Sequence, residues 1–171
     1  MHQQGLSLIE LLMGLAIAAI VLSWAATGYK ELVEANERKD AAQSLAVGMR
    51  SARSEAIIRN RTVVIRGIDN DWGRGWRITL DDKQKTLLME RSGHARVVGN
   101  QPVRRSVSFN GLGEALLPNG GFRAGTLHIC ARHGPISHHQ VVLAPSGRIS
   151  LRSEVAEQAV CEKSLGQRTN A

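Results

Sequence analysis

The feature that most constrains this chain is an uncharged run of 19 residues, Leu11 to Tyr29, with one carboxylate, Glu10, at its edge. A helix needs roughly 20 apolar residues to cross a bilayer, so a run of this length predicts a membrane-spanning helix. A secretory signal would carry a shorter apolar core and a basic leader. Residues 1–5 are Met-His-Gln-Gln-Gly, with no Lys or Arg, although Leu22-Ser23-Trp24-Ala25-Ala26 can be forced into a signal-peptidase site. Glu10 argues against that rival, a plain secreted domain. A carboxylate at the edge of lipid is expensive, and it has either the headgroup region or a cationic partner to satisfy it.

Average composition hides this asymmetry. The chain is 43% hydrophobic and carries a formal charge of +7. Residues 1–90 hold 12 Lys/Arg against 11 Asp/Glu, whereas residues 91–171 hold 10 against 4. A basic C-terminal half attracts phosphate backbones or anionic surfaces, or simply keeps the domain soluble. The two cysteines, Cys130 and Cys161, have no zinc-type spacing; they are a disulfide in an exported domain and free thiols in a cytosolic one.

Gly5-Leu6-Ser7-Leu8-Ile9-Glu10-Leu11-Leu12 resembles the class III signal of type IV prepilins and type II secretion pseudopilins. The resemblance implies cleavage after Gly5 by a prepilin peptidase and N-methylation of Leu6. It also implies that Glu10 neutralises the terminal amine of a neighbouring subunit. A buried carboxylate and a buried ammonium each cost more alone than as a pair. Leu6 stands where the family usually has Phe, and Thr27-Gly28 stand where many major pilins have a kinking Pro.

Beyond Tyr29, Ala42, Leu45, Ala46, Met49, Ala52 and Ala56 recur at three- and four-residue spacing, with Arg50, Arg53 and Glu55 elsewhere on the wheel. One helix from Leu6 to Arg59 would be about 80 Å long. Ala52-Arg53-Ser54-Glu55-Ala56-Ile57 resembles the signature of the GspH/FimT branch of minor pilins and pseudopilins. Trp72-Gly73-Arg74-Gly75-Trp76, Phe109-Asn110 with Gly113, Gly125 to Cys130, and Ser146-Gly147-Arg148-Ile149 extend that resemblance.

Short alternating runs follow: Thr62–Arg66, Trp76–Leu80, Leu87–Glu90, Ala95–Val98, Ser106–Phe109, Leu127–Cys130, Gln140–Leu143 and Ile149–Arg152. Ala144-Pro145-Ser146-Gly147 reads as a hairpin turn. The expectation is an α+β, pilin-like fold: a long N-terminal helix packed on an antiparallel, β-sandwich-like domain. Its divisions are a leader at 1–5, a transmembrane helix at 6–29, an amphipathic spine at 30–60 and a β-rich periplasmic domain at 61–171. For a domain placed in the periplasm, as the resemblance implies, Cys130 and Cys161 become a disulfide, a pairing the family often shows.

No enzymatic constellation emerges. His133, His138 and His139 read as solvated loop histidines, without a rigid face or carboxylate for a metal. Ser137 lacks a nucleophile elbow and an acidic orienter, the glycine-rich segments lack a phosphate-loop lysine, and no cofactor is expected. Some FimT-type minor pilins capture DNA through a Gly-Arg-x-Arg element. Here Gly147-Arg148-Ile149-Ser150-Leu151-Arg152 matches its first arginine, with Ser150 in place of the second. Arg148 and Arg152, with Arg104, Arg105, Arg132 and Lys163 as candidate neighbours, therefore form the candidate DNA-binding set. In an extended strand Arg148 and Arg152 share a face about 13 Å apart.

The resemblance implies an inner-membrane minor pilin that initiates or caps a type IV pilus. Its partners would be the prepilin peptidase, other minor and major pilins or pseudopilins, and the assembly platform. The alternatives are a minor pseudopilin of a type II secretion system and a DNA-uptake receptor at a pilus tip.

Overall fold

The computed structural model describes residues 8–117 and 121–166, and its longest element is a helix, α1, spanning Leu8–Arg59. The chain divides into two compact units after Asn36. In the first unit the described residues are helical, and Leu8, Ile9, Leu11, Leu12, Met13, Leu15, Ile17 and Ile20 are all exposed. Among the described residues no helix is long and apolar enough to cross a membrane. Side chains 22 and 24–27, in the middle of the apolar run, lie outside the description, as do Gly5 and Leu6.

The second unit opens with the remainder of α1. Ala42, Leu45, Ala46, Met49, Ala52 and Ala56 are at most 2% exposed, so the stripe expected from spacing is the buried face. The helix stops because Asn60 takes a left-handed φ of 47°. Asn60 N–H then donates to Ile57 O and Arg61 N–H to Ala56 O, which closes the last carbonyls in a Schellman arrangement.

Two antiparallel sheets complete the core. One has the order β3-β2-β1-β5-β6, built from β1 (Val63–Ile68), β2 (Asp71–Leu80), β3 (Leu87–Ser92), β5 (Ser106–Phe109) and β6 (Ala115–Leu116). The other runs β10-β8-β7-β4, from β4 (Val97–Gly99), β7 (Gly125–Cys130), β8 (Ile136–Leu143) and β10 (Ala156–Glu157), while β9 (Ile149–Arg152) also pairs with β8. Val63, Ile65, Ile78 and Phe109 of the first sheet join Leu127, Ile129, Val141 and Leu143 of the second in one cluster with the α1 stripe. This is the expected α+β pilin-like architecture.

Several boundaries move. β2 begins at Asp71 rather than Trp76, because Asp69 and Asn70 both adopt positive φ and fold a two-residue hairpin loop. β8 begins at Ile136, so His138 and His139 are half-buried strand residues rather than solvated loop residues. The β-rich half also contains a helix, α2 (Ala159–Gly166), and a 3-10 turn precedes Arg104 (Gln101–Val103). Short polar tails lack a periodic apolar face, which is why neither was read from spacing.

Trp72 and Trp76 each anchor a junction. Trp72 Nε1 donates to Val103 O and Arg104 O at 3.1 and 3.0 Å, which holds the 3-10 turn. Trp76 Nε1 donates to Ser44 Oγ at 3.2 Å, and its ring lies over Gly48 of α1, where a Cβ would come within 2.7 Å.

Candidate functional site

The expected basic element begins at the turn between β8 and β9. Gly147 N–H donates to Ala144 O and Ala144 N–H to Arg148 O, both at 2.9 Å, so the segment closes as the hairpin turn its Pro and Gly foretell. Gly147 has φ +75°, a region that an L side chain enters at a cost. Arg148, immediately after it, is exposed.

Two arginines of α1 reach this turn. Arg53 Nε donates to Gly113 O at 2.9 Å, and Gly113 O in turn packs against Gly147. Arg50 Nη2 reaches Ile149 O at 3.5 Å, a long contact that places its guanidinium beside the residue after Arg148. The guanidiniums of Arg50 and Arg53 thus lie at carbonyls of the two turns, beside the backbone that carries the exposed Arg148. Glu114, the residue after Gly113, accepts the Asn110 amide at 2.9 Å, and Glu55 pairs with Arg59 at 2.6 Å. Uncompensated cations fixed by carbonyl contacts suit an anion, and guanidinium forks suit phosphate oxygens.

The other expected residues do not join them. Arg152 is exposed at the far end of β9, opposite Gln140. Arg104 and Arg105 are exposed beyond the 3-10 turn that follows β4, the opposite edge of that sheet. Three strand spacings, about 14 Å, separate β9 from β4. Arg132 lies in the β7–β8 loop, at the other end of β7 from the Arg148 turn, and pairs with Glu37 at 3.1 Å. The Lys163 side chain lies outside the described residues. The basic half is therefore not one patch. The sequence reading also missed Arg50 and Arg53, whose only signal was an i, i+3 spacing bordering the buried stripe.

Glu10 is exposed in the first turn of α1. Cys130 and Cys161 form a disulfide, both at most 1% exposed, with 31 residues of separation. The tail is fastened further by Gln158 N–H to Pro135 O at 2.8 Å and by Gln140 Nε2 to Glu154 O at 2.7 Å.

Beside Cys130 runs a buried polar chain. His128 Nδ1 lies 3.2 Å from Ser137 Oγ, which accepts Gln140 Nε2 at 2.8 Å. Burial pushes His128 below the ordinary histidine range. His138 and His139 are also pushed down, first by burial and then by cationic neighbours including Arg38. Among the described residues no three His, Cys, Asp or Glu gather as metal ligands.

The chain is similar to characterised proteins along most of its length. Residues 41–147 match the family of the type II transport protein GspH, and residues 1–26 match the prokaryotic N-terminal methylation motif. No curated protein sequence matches it. Two crystal structures of the type IV minor pilin FimU from Pseudomonas aeruginosa share its fold. The first aligns at TM-score 0.61 and 23% identity over 76% of this chain and 98% of that one. The second aligns at 0.56 and 22% over 72% and 98%.

Proposed function

Because the chain belongs to the GspH family of minor pilins and pseudopilins, we propose that it is a FimT-like minor pilin of a type IV pilus that helps to initiate or cap filament assembly. In this reading it is made as an inner-membrane precursor, cut after Gly5 and methylated at Leu6. Residues 6–29 span the membrane and the rest lies in the periplasm, a compartment that suits the Cys130–Cys161 disulfide. Glu10 pairs with the terminal amine of an adjacent subunit, which offsets the cost of either charge alone.

One observation carries the reading: a methylation motif over residues 1–26 leads into a helix whose later turns supply the core of a pilin-like domain. The experiment is to express the chain in bacterial membranes with and without a prepilin peptidase and to measure the mature mass. A peptidase-dependent methylated Leu6 terminus supports the proposal. A start near residue 26, or an uncut chain with active peptidase, overturns it. Assembly into pili rather than a secretion pseudopilus is tested by co-purification with each set of subunits, and the secretion system is the alternative.

The turn at Arg148 favours a second task, DNA capture for uptake. Arg50 and Arg53 reach carbonyls at this turn, and we take them with the exposed Arg148 as the binding group rather than a strand of spaced arginines. Phosphate contacts alone fix a backbone without reading its sequence. Binding then weakens steeply with salt. Loss in Arg148→Ala with retention in Arg104→Ala/Arg105→Ala supports it, and salt-independent retention overturns it.

A further inference from the structure

The outer face of the first sheet brings two arginines into direct opposition. Arg66 on β1 and Arg77 on β2 are register partners, and Glu90 on β3 faces Arg77. Like charges set opposite on one sheet face destabilise the pairing unless something compensates them. Glu90 Oε2 lies 3.1 Å from Arg77 Nε, but the N–H is not aimed at it, so the contact is an ion pair without a hydrogen bond. Arg66 Nε and Arg77 Nε are both buried and have no hydrogen-bond partner among the described residues.

These groups line a depression of about 180 Å³, together with Thr79, Lys85, Leu87 and Glu90. Thr79 is only 7% exposed and lines the same depression. Lys85 adds a third cation from the β2–β3 loop, where its φ is +48°. The nearby carboxylate of Asp82 is occupied by the Thr86 N–H and hydroxyl, both at 3.1 Å. Among the lining residues three cations stand against one carboxylate, a formal excess of two positive charges. A buried donor left without a partner costs free energy that a ligand recovers.

We propose that this depression binds a compact phosphate-type dianion, free orthophosphate or a phosphate monoester. The guanidinium N–H groups of Arg66 and Arg77 and the Thr79 hydroxyl donate to its oxygens, and Lys85 balances its charge. Two charges on the ligand match the excess of two in the site, whereas a nucleic-acid diester carries one per phosphate. The site lies on the sheet formed by β1 to β3, while the Arg148 turn belongs to the other sheet, so the two are separable by mutation.

The test is calorimetric titration of the detergent-solubilised full chain with sodium phosphate, against sodium chloride at matched ionic strength. Saturable binding is expected, weakened roughly tenfold or more in Arg66→Gln, as loss of a charge-assisted hydrogen bond requires. Thr79→Val, which keeps shape and charge, is expected to weaken it severalfold. No saturable uptake at millimolar phosphate, or equal affinity in wild type and both site variants, overturns the proposal. Competition by phosphoserine but not by an oligonucleotide lacking terminal phosphate supports a dianion. Stronger competition by the oligonucleotide through Arg66 overturns that assignment.

Discussion

Gly147 packs against the carbonyl oxygen of Gly113, so the β8–β9 turn of one sheet rests directly on the β5–β6 turn of the other. Arg53 donates to the same carbonyl from α1. Helix and both sheets are therefore tied at one point, and residues of the family signature supply the tie.

A side chain at position 147 should break this contact. Gly147 has φ +75°, and a Cβ there would collide with a backbone oxygen that cannot step aside. The left-handed conformation and the overlap together should cost about 2–4 kcal/mol in Gly147→Ala. Urea unfolding measures it, and a midpoint equal to wild type would show that the two turns separate freely.

Gly48 gives a case where two effects oppose. Alanine gains about 1 kcal/mol of helix propensity over glycine. Its Cβ, however, would lie 2.7 Å from the Trp76 ring, and overpacking costs about 1–3 kcal/mol. Overpacking against the indole outweighs the gain in propensity, so Gly48→Ala should be destabilised by about 1 kcal/mol, with altered tryptophan fluorescence. A variant more stable than wild type would mean that the indole moves away at little cost.

The disulfide closes a loop with 31 residues of separation and holds α2 to β7. Removing it in Cys130→Ala/Cys161→Ala should cost roughly 3–4 kcal/mol through restored unfolded-state entropy. Limited proteolysis should then cut first within residues 156–166, where the tail's other ties are a few hydrogen bonds. An unchanged unfolding midpoint would refute this.

His128 predicts a pH dependence of definite sign. Burial lowers its pKa in the fold below the ordinary histidine value of 6.5. The unfolded chain therefore binds the proton first as pH falls, and stability drops from just above 6.5 downward until the folded pKa is passed. His138 and His139 act in the same direction. Stability should fall between about pH 7 and 5, and less steeply in His128→Asn. Equal slopes would assign the whole effect to the other histidines.

What was legible in the sequence is what depends on near neighbours. Ala42, Leu45, Ala46, Met49, Ala52 and Ala56 announce one buried helix face because 3.6-residue periodicity is a local property of the chain. Pro145 and Gly147 announce their turn because both restrict φ on the spot. The tail helix α2 was not legible, since its eight residues have no apolar stripe and are held to β7 by the Cys130–Cys161 disulfide.

The sites depended on long-range register. No spacing sets Arg66 against Arg77, because their opposition follows from where the two-residue loop at Asp69-Asn70 starts the return strand. Likewise Arg53 and Gly147 are far apart in sequence and meet only because helix and turn share the Gly113 carbonyl. The sequence alone determined the apolar run, its flanking Glu10, the core-facing helix and the strand-rich half. Only the tertiary structure decided which charges face one another, since strand register and sheet contact are fixed by burial across the whole domain.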